Sequence, residues 1–572
     1  MPGFAFPKSN RFTVCKRELA PGITVRHHKN RPSQSCRSEV TARVLDGGNL
    51  NLSSTRPVGT GNSFPELCWQ VALVLAAWVY LCGLYWENDG LWFQGDAPRH
   101  AMNGLFWMDF LRSGSTDPQG YALDYYSRYP AICPSLYPPG FYLSEAFLFA
   151  LFGPSPFVAK GLVLGFALLA ALYTLAWLRR WVDPAAGGAA ALLLLSPGLT
   201  MWSHAVMLNV PALALGLAAL YHARRTLEAA DELRFPTQLY AAAVLAVFAI
   251  MTYPTTGVVV LIGLAWVAAQ GRWKLLSRPR TLLLALACAV SLMPWAYVVW
   301  RWAPRQLQQV TPEARSLTDP WGWAYYPNHV TELLDPLLLA LALLGAVIGL
   351  ARRRWRWETV YLFLWIAVCY VVFSVIRSKE SRYLLLACPP AIGFVVMPLL
   401  YVAELVQALA PRVRKRGVLY LFLGIVVLCE GEFARHRKIP SVHDFREVAV
   451  FVAGVAPSES VLYDGAHDGL FIFHVRAGDV NRDRQVVLAS HLLRATLPQE
   501  PADDAIESVL LDSGCRWLVI EFGTLSEVQA SARALRRVLA RDTFAHVRSF
   551  PIHRSGVERV GVYRVRNPPP QT

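Results

Sequence analysis

The sequence predicts a multi-pass α-helical membrane protein of about eleven transmembrane helices, followed by a small extracytoplasmic α/β domain at the C-terminus. Three observations carry this reading. Of 572 residues, 54% are hydrophobic and only 17% charged, with a mean hydropathy of +0.32, whereas a soluble globular chain carries about 25% charged residues. Apolar runs near the roughly 20 residues needed to cross a bilayer recur along the chain. Beyond about residue 432 those runs stop, and short β-like segments alternate with helical ones.

Residues 1–65 are basic, rich in Ser, Pro and Asn, and lack the apolar core of a secretory signal, so they read as a disordered cytoplasmic tail. The apolar runs then fall at about 67–85, 157–178, 185–203, 207–222, 237–253, 255–270, 281–300, 334–351, 358–376, 383–406 and 417–430. Short cytoplasmic loops accumulate Lys and Arg. With the tail inside, every even-numbered run should end inside. Those ends carry Arg179-Arg180, Arg224-Arg225, Arg272 with Lys274 and Arg278, Arg352-Arg353-Arg354, and Arg412, Arg414, Lys415 and Arg416. An odd number of spans then leaves the C-terminal part outside, together with the loops 86–156, 301–333 and 377–382. The expected domains are the tail 1–65, a transmembrane domain 66–431 and an extracytoplasmic domain 432–572.

In the last of these, β-like runs at 460–463, 469–475, 485–488, 517–522, 545–550 and 561–566 alternate with helical stretches near 502–513 and 526–541, which is an α/β pattern. Asp464, His467, Asp468 and His474 lie close in sequence, and turn-forming and surface roles account for them. There is no Gly-rich phosphate loop, no nucleophile elbow and no internal repeat. The net charge of +15 includes +7 from the tail, and much of the remainder flanks apolar runs. It therefore reports orientation in a bilayer, and no nucleic-acid partner is expected. The ten cysteines are scattered, mostly inside apolar runs, with no C-x-x-C pair, so neither a zinc signature nor a disulfide framework is read from them.

Polar residues gather at the outer membrane face rather than within the spans. Asp96 precedes Pro98 at the start of a half-apolar helix reaching Arg112. Two roles stay open for it: a helix N-cap ahead of a first-turn proline, or a general base acting on a hydroxyl, with Arg99 one turn along near an anion. The same loop carries Tyr125-Tyr126-Ser127-Arg128, then Tyr137-Pro138-Pro139-Gly140-Phe141-Tyr142, and Lys160. Residues 137–153 are apolar but too short to span, so they should lie along the interface. Glu145 on that stretch reads as readily solvated, and His204 as a satisfied interfacial histidine.

These residues resemble a family. Asp96-Ala97-Pro98-Arg99-His100-Ala101 after the first run, Tyr137-Pro138-Pro139-Gly140-Phe141-Tyr142 before the second, Phe152-Gly153, and Ser381-Arg382-Tyr383-Leu384 ahead of Pro389-Pro390 look like the GT-C glycosyltransferases. The likeness is strongest to bacterial relatives of protein O-mannosyltransferases and of lipid A aminoarabinose transferases, over about residues 67–410. It implies a protein of the bacterial inner membrane that takes a sugar from a polyprenyl-phosphate donor. It implies Asp96 as the catalytic carboxylate and basic residues beside the bilayer holding the lipid-linked phosphate. A lipid-linked phosphate sits at the bilayer surface, so cations there and a base just above are what the chemistry needs. Arg99, Arg128, Lys160 and Arg382 with Tyr383 fill the first role, and Arg377 and Lys379 are further outer-face cations. Tyr137, Tyr142, Tyr325 and His329 are the expected substrate contacts, the last two from a loop with Arg305, Arg315, Tyr326 and Glu332 that could cover a sugar. Against the family pattern, Ala97 stands where a second acid is frequent, Asn209 where an acid precedes a proline, and Tyr253-Pro254 where a lysine is frequent. The outer loops lack Asp-x-Asp pairs, so neither a metal nor another cofactor is expected.

The expected function is inverting transfer of a monosaccharide to an extracytoplasmic acceptor hydroxyl. A transporter or lipid flippase is the alternative, but it should bury charges in mid-span and show inverted repeats. A sensor built on the C-terminal domain would leave the outer loops chemically idle.

Overall fold

In the computed structural model the described residues are 64–84, 95–228, 234–310, 320–376, 378–440, 442–496, 502–523, 530–554 and 557–566. The chain divides into two units, residues 1–56, which lie outside the described residues, and residues 57–572. The helical part of the second unit runs α1 (Phe64–Leu84), α2 (Asp96–Ser113), α3 (Pro118–Arg128), α4 (Gly140–Phe152), α5 (Pro156–Val182), α6 (Ala186–Leu195), α7 (Pro197–Trp202), α8 (Asn209–Glu228), α9 (Arg234–Thr252), α10 (Val258–Ala269), α11 (Pro279–Val310), α12 (Pro320–Asn328), α13 (Pro336–Ala351), α14 (Arg356–Val375), α15 (Cys388–Leu409) and α16 (Lys415–His436).

Local chemistry sets several of these starts. Ser155 caps α5 through the Val158 N–H and Asp335 caps α13 through the Leu338 N–H, each with proline at the first helical position. The apolar runs all fall on helical segments, but they do not all stand as separate spans. Six stretches among the described residues are long and apolar enough to cross a membrane: Phe64–Leu84, Pro156–Leu195, Pro279–Arg301, Arg353–Val375, Ser381–Leu409 and Lys415–His436. A seventh exists if Pro320–Glu332 and Pro336–Ala351, bent by 115°, count as one. The second and third runs join into one 40-residue stretch. At the centre of the bundle every residue of α6 is buried.

The two ends of the bundle differ in kind. At one end Arg180 pairs with Glu228, Arg224 with Glu358, Arg272 donates to the Leu227 carbonyl, Arg354 and Lys415 share Glu404, and Arg416 reaches Glu66 at the start of α1. The basic clusters that close the even-numbered runs therefore share one end. The other end carries the start of α2, the 3₁₀ turn Ser381–Ala387 and the Tyr253-Pro254 turn.

The C-terminal part begins with α17 (Phe445–Val455) and continues β1 (Ser460–Asp464), α18 (Asp468–Gly478), β2 (Gln485–Leu488), α19 (Ala489–Thr496), α20 (Asp503–Asp512), β3 (Trp517–Phe522), α21 (Ala530–Val538), β4 (Phe544–Arg554) and β5 (Val557–Val565). The sheet order is β2-β1-β3-β5-β4, with β1 parallel to β2 and β3, and β5 antiparallel to β3 and β4. Side chains alternate across it. Val461, Tyr463, Trp517 and Val519 join the core shared with the helical bundle, whereas Leu462, Leu518 and Ile520 join a separate one with residues of α19, α20 and α21.

Two expectations are corrected here. Residues 469–475, read as a strand, form the middle of α18. Leu470, Phe471, Ile472, Phe473 and Val475 are all buried, and a continuous apolar run carries no periodicity to separate helix from strand. The surface role for Asp464, His467, Asp468 and His474 also fails. Asp464, His467 and His474 are buried, Asp464 pairs with Arg536 at 3.1 Å, His467 Nδ1 lies 3.2 Å from Glu521, and Asp468 pairs with Arg99.

Candidate active site

Helix α2 opens at Asp96 behind Gly95, and no side chain caps it. The N-cap role is thus not the one Asp96 takes. Its Oδ2 instead accepts a hydrogen bond from Arg382 Nη2 at 3.3 Å, across 286 residues of sequence. Arg382 comes from the 3₁₀ turn between α14 and α15. Its side chain is 14% exposed against 53% for Asp96, and Glu380 stands 3.6 Å away on the same nitrogen. The guanidinium lies 5.2 Å from the Trp202 ring and 6.0 Å from the Tyr383 ring, an arrangement that holds a cation over aromatic faces.

His100, one turn beyond Asp96 on α2, is buried. Its Nδ1 is 2.7 Å from the Tyr142 hydroxyl, and its ring meets Tyr137 edge-on at 5.0 Å. Burial pushes its pKa down to about 4, with Asp96 opposing that and Arg382 reinforcing it, so the imidazole is neutral at physiological pH. From Tyr137 an aromatic wall runs to Tyr253 (6.2 Å), Tyr383 (6.3 Å) and Phe373 (6.2 Å). Arg382 and Tyr383 also line a small cleft, partly open to solvent, together with Asn209, Tyr253, Thr256 and Phe373. At the end of α12 the rings of Tyr325 and His329 stack at 4.1 Å, with Tyr325 beside Glu380 and the Ser381 backbone.

The expected residues therefore divide. Asp96, Arg382, Tyr383, Tyr137 and Tyr325 converge, with Tyr142 behind His100 and His329 behind Tyr325. Arg99 does not face the cleft: its guanidinium pairs with Asp468 at 2.8 Å. Arg128 is likewise drawn away, to the Arg482 carbonyl at 2.8 Å and Asp124 at 3.5 Å. Lys160 is buried near the start of α5; burial, reinforced by this nearby cation, disfavours protonation of His204. Lys379 sits on the carbonyls that end α14. Glu145 is fully buried against α2, where a Cβ on Gly104 would fall 2.2 Å from its Oε2, so the solvated reading is overturned. Arg315 and Arg377 and the side chain of Arg305 lie outside the described residues. Sequence reasoning missed His100, Trp202 and Glu380. Trp202 and Glu380 stand within a few positions of a span end on the outer side and His100 lies in the outer loop after the first span, a signal shared with many residues that do nothing there.

No protein-family model matches the sequence. ArnT from Cupriavidus metallidurans superposes with a TM-score of 0.56 at 16% identity, covering 87% of this chain and 98% of that one. The chain has the GT-C glycosyltransferase fold. A second GT-C structure, the archaeal oligosaccharyltransferase AglB from Archaeoglobus fulgidus in complex with an inhibitory peptide and a dolichol-phosphate, superposes at 0.53 with 11% identity over 80% of this chain and 70% of that one. ArnT bound to undecaprenyl phosphate gives 0.55 at 16% identity, over 88% and 99%. In sequence, the undecaprenyl phosphate-alpha-4-amino-4-deoxy-L-arabinose arabinosyl transferase of Pseudomonas paraeruginosa is 27% identical over 396 residues, 65% of this chain. That match spans 66% of the curated relative's length.

Proposed function

We propose that the protein is a membrane glycosyltransferase that moves a monosaccharide from a polyprenyl-phosphate donor to an extracytoplasmic hydroxyl of a lipid, glycan or protein, with inversion. The observation that carries this is the Asp96–Arg382 contact, a half-exposed carboxylate and a largely buried guanidinium at the mouth of an aromatic-lined cleft. The relative named above as an undecaprenyl phosphate-linked arabinosyl transferase, and the solved ArnT complex with undecaprenyl phosphate, support a donor of this class.

In this reading Asp96 takes the acceptor's proton as the acceptor oxygen attacks the anomeric carbon and the polyprenyl phosphate departs. A phosphate arriving at Arg382 competes with Asp96 for the same guanidinium, so donor binding frees the base. The leaving group is already a stable anion and needs a fixed cation rather than a general acid, so the reading uses no metal or cofactor. Neutral His100 keeps a second positive charge away from Asp96. Tyr137, Tyr253 and Tyr383 form the wall along a sugar ring, with Tyr325 and His329 above it. The basic end of the bundle faces the cytoplasm of a bacterial inner membrane, and the cleft and C-terminal part face outward.

The test is Asp96→Asn in cells lacking the wild-type gene, read by mass spectrometry of the envelope glycan, lipid or protein modification that the deletion abolishes. An amide cannot accept the proton, and base catalysis is commonly worth about 10²–10⁴-fold. The expected result is a folded protein that binds undecaprenyl phosphate and leaves the modification absent; near-normal modification would overturn the assignment.

A further inference from the structure

In an open α/β sheet, ligands enter the crevice beyond the carboxyl ends of the strands where the strand order reverses. Here that point lies between β1 and β3, because α18 packs on one face of the sheet and α19 to α21 on the other. The protein has filled this crevice with its own groups. The Glu521 carboxylate accepts the backbone N–H groups of Ala466 (3.0 Å) and His467 (2.9 Å) and the Tyr463 hydroxyl. Asp464 is taken by Arg536. What remains outward-facing at the start of α18 is Asp468, and it is spent on Arg99 of α2, three residues after Asp96.

A second contact joins the same two helices further on. Asp109 of α2 accepts Arg476 Nε of α18 at 2.9 Å and the Tyr125 hydroxyl at 2.9 Å, and the Asp109 and Arg476 side chains are both 5% exposed. The two contacts have opposite polarity. Near its start α2 supplies the cation and α18 the anion, and eight to ten residues later α2 supplies the anion and α18 the cation. Sliding one helix past the other by a turn breaks both pairs, and reversing one helix opposes like charges. Beside the first pair Gly469 sits against Pro98, where a Cβ would approach the proline side chain to 3.2 Å.

We infer that α18 is a register strut for α2: the Asp468–Arg99 pair, locked in phase by Arg476–Asp109, sets the axial position and rotation of Asp96 against Arg382, and Asp468 is a positioning residue for transfer. This rests on the reading of Asp96 as the base. It also reassigns Arg99 from phosphate contact to strut.

The experiment compares the full-length wild type with Asp468→Asn, Asp468→Glu and Arg99→Gln. Three quantities are followed: hydrogen–deuterium exchange of the first turns of α2, binding of undecaprenyl phosphate to purified protein, and the envelope modification in deletion cells at matched protein level. Asp468→Asn and Arg99→Gln are expected to speed exchange of these amides about tenfold or more and lower the modification about tenfold, with undecaprenyl phosphate affinity within about twofold of wild type. Asp468→Glu, which keeps the charge, should recover most of both. Loss of undecaprenyl phosphate affinity in Arg99→Gln but not in Asp468→Asn would make Arg99 a phosphate ligand and overturn the inference. So would faster exchange with full modification, or no change in either for Asp468→Asn. If Asp96→Asn proves silent, the reading of the base falls, while the exchange measurements still decide whether the strut exists.

Discussion

Arg224 and Arg382 are partly buried arginines at opposite ends of one helical bundle, with side chains 11% and 14% exposed. Arg224 meets Glu358 through two nitrogens at 2.8 and 2.6 Å, and that glutamate is 19% exposed. Arg382 meets Asp96 through one nitrogen at 3.3 Å, and that aspartate is 53% exposed. A bidentate pair held this far from water is architecture, because removing the arginine leaves the Glu358 charge largely buried and uncompensated. A single long contact to an acid already half in water is exchangeable, and an incoming anion can replace it at little cost. The difference shows why counting outer-face cations is a poor guide to a phosphate site. The useful cation is the one whose present partner can leave.

The comparison breaks first on Arg224→Ala. Stranding Glu358 should destabilise the protein by about 3–5 kcal/mol, seen as a lowered midpoint in thermal unfolding, with undecaprenyl phosphate affinity per folded molecule unchanged. A variant as stable as wild type would mean that the inner pair is no more structural than the outer one.

Acidification probes the outer end. Folded His100 titrates at about 4 against an ordinary 6.5. Its neutral form therefore contributes stability that is fully present above pH 6.5 and is lost as pH falls through 4, on the order of 3 kcal/mol. His100→Gln should flatten that acid limb of the stability curve, and a limb of unaltered slope would show that another group carries it.

Arg382→Ala sharpens the contrast with the smallest effect. Because Asp96 stays solvated when its partner is removed, the melting temperature should barely move, while undecaprenyl phosphate binding loses charge-assisted hydrogen bonds worth about 1.5–3 kcal/mol. Unchanged binding would reduce Arg382 to a span-end anchor.

Much of this was legible before any coordinates. The apolar runs locate the helices, and the arginine clusters that close alternate runs do meet at one end. Five of the six β-like runs fall on strands. What stayed hidden has a common physical cause, namely partners distant in sequence. Arg99 could not be told from a phosphate ligand because Asp468 lies 369 residues away. Residues 469–475 could not be told from a strand because α2, α17 and the sheet together bury nearly every side of them. Glu145 looked solvated because the short helix bearing it was read against water and lipid, not against Gly104. The likeness in residue order led to Asp96 and Arg382, but it did not say which cations were already committed.

One feature of the core bears on how the chain is made. Gly187 of α6 packs against Gln70 of α1, and Gly188 packs against Leu423 of α16. The first and last helices of the bundle therefore close on the same short segment, and its second face stays open until more than two hundred further residues have been synthesised. At about 5–20 residues per second the delay is on the order of ten to fifty seconds. During it an Ala-, Gly- and Leu-only segment with no polar side chain waits for a partner at the far end of the message, so the helical bundle matures as a whole rather than from its N-terminus onward.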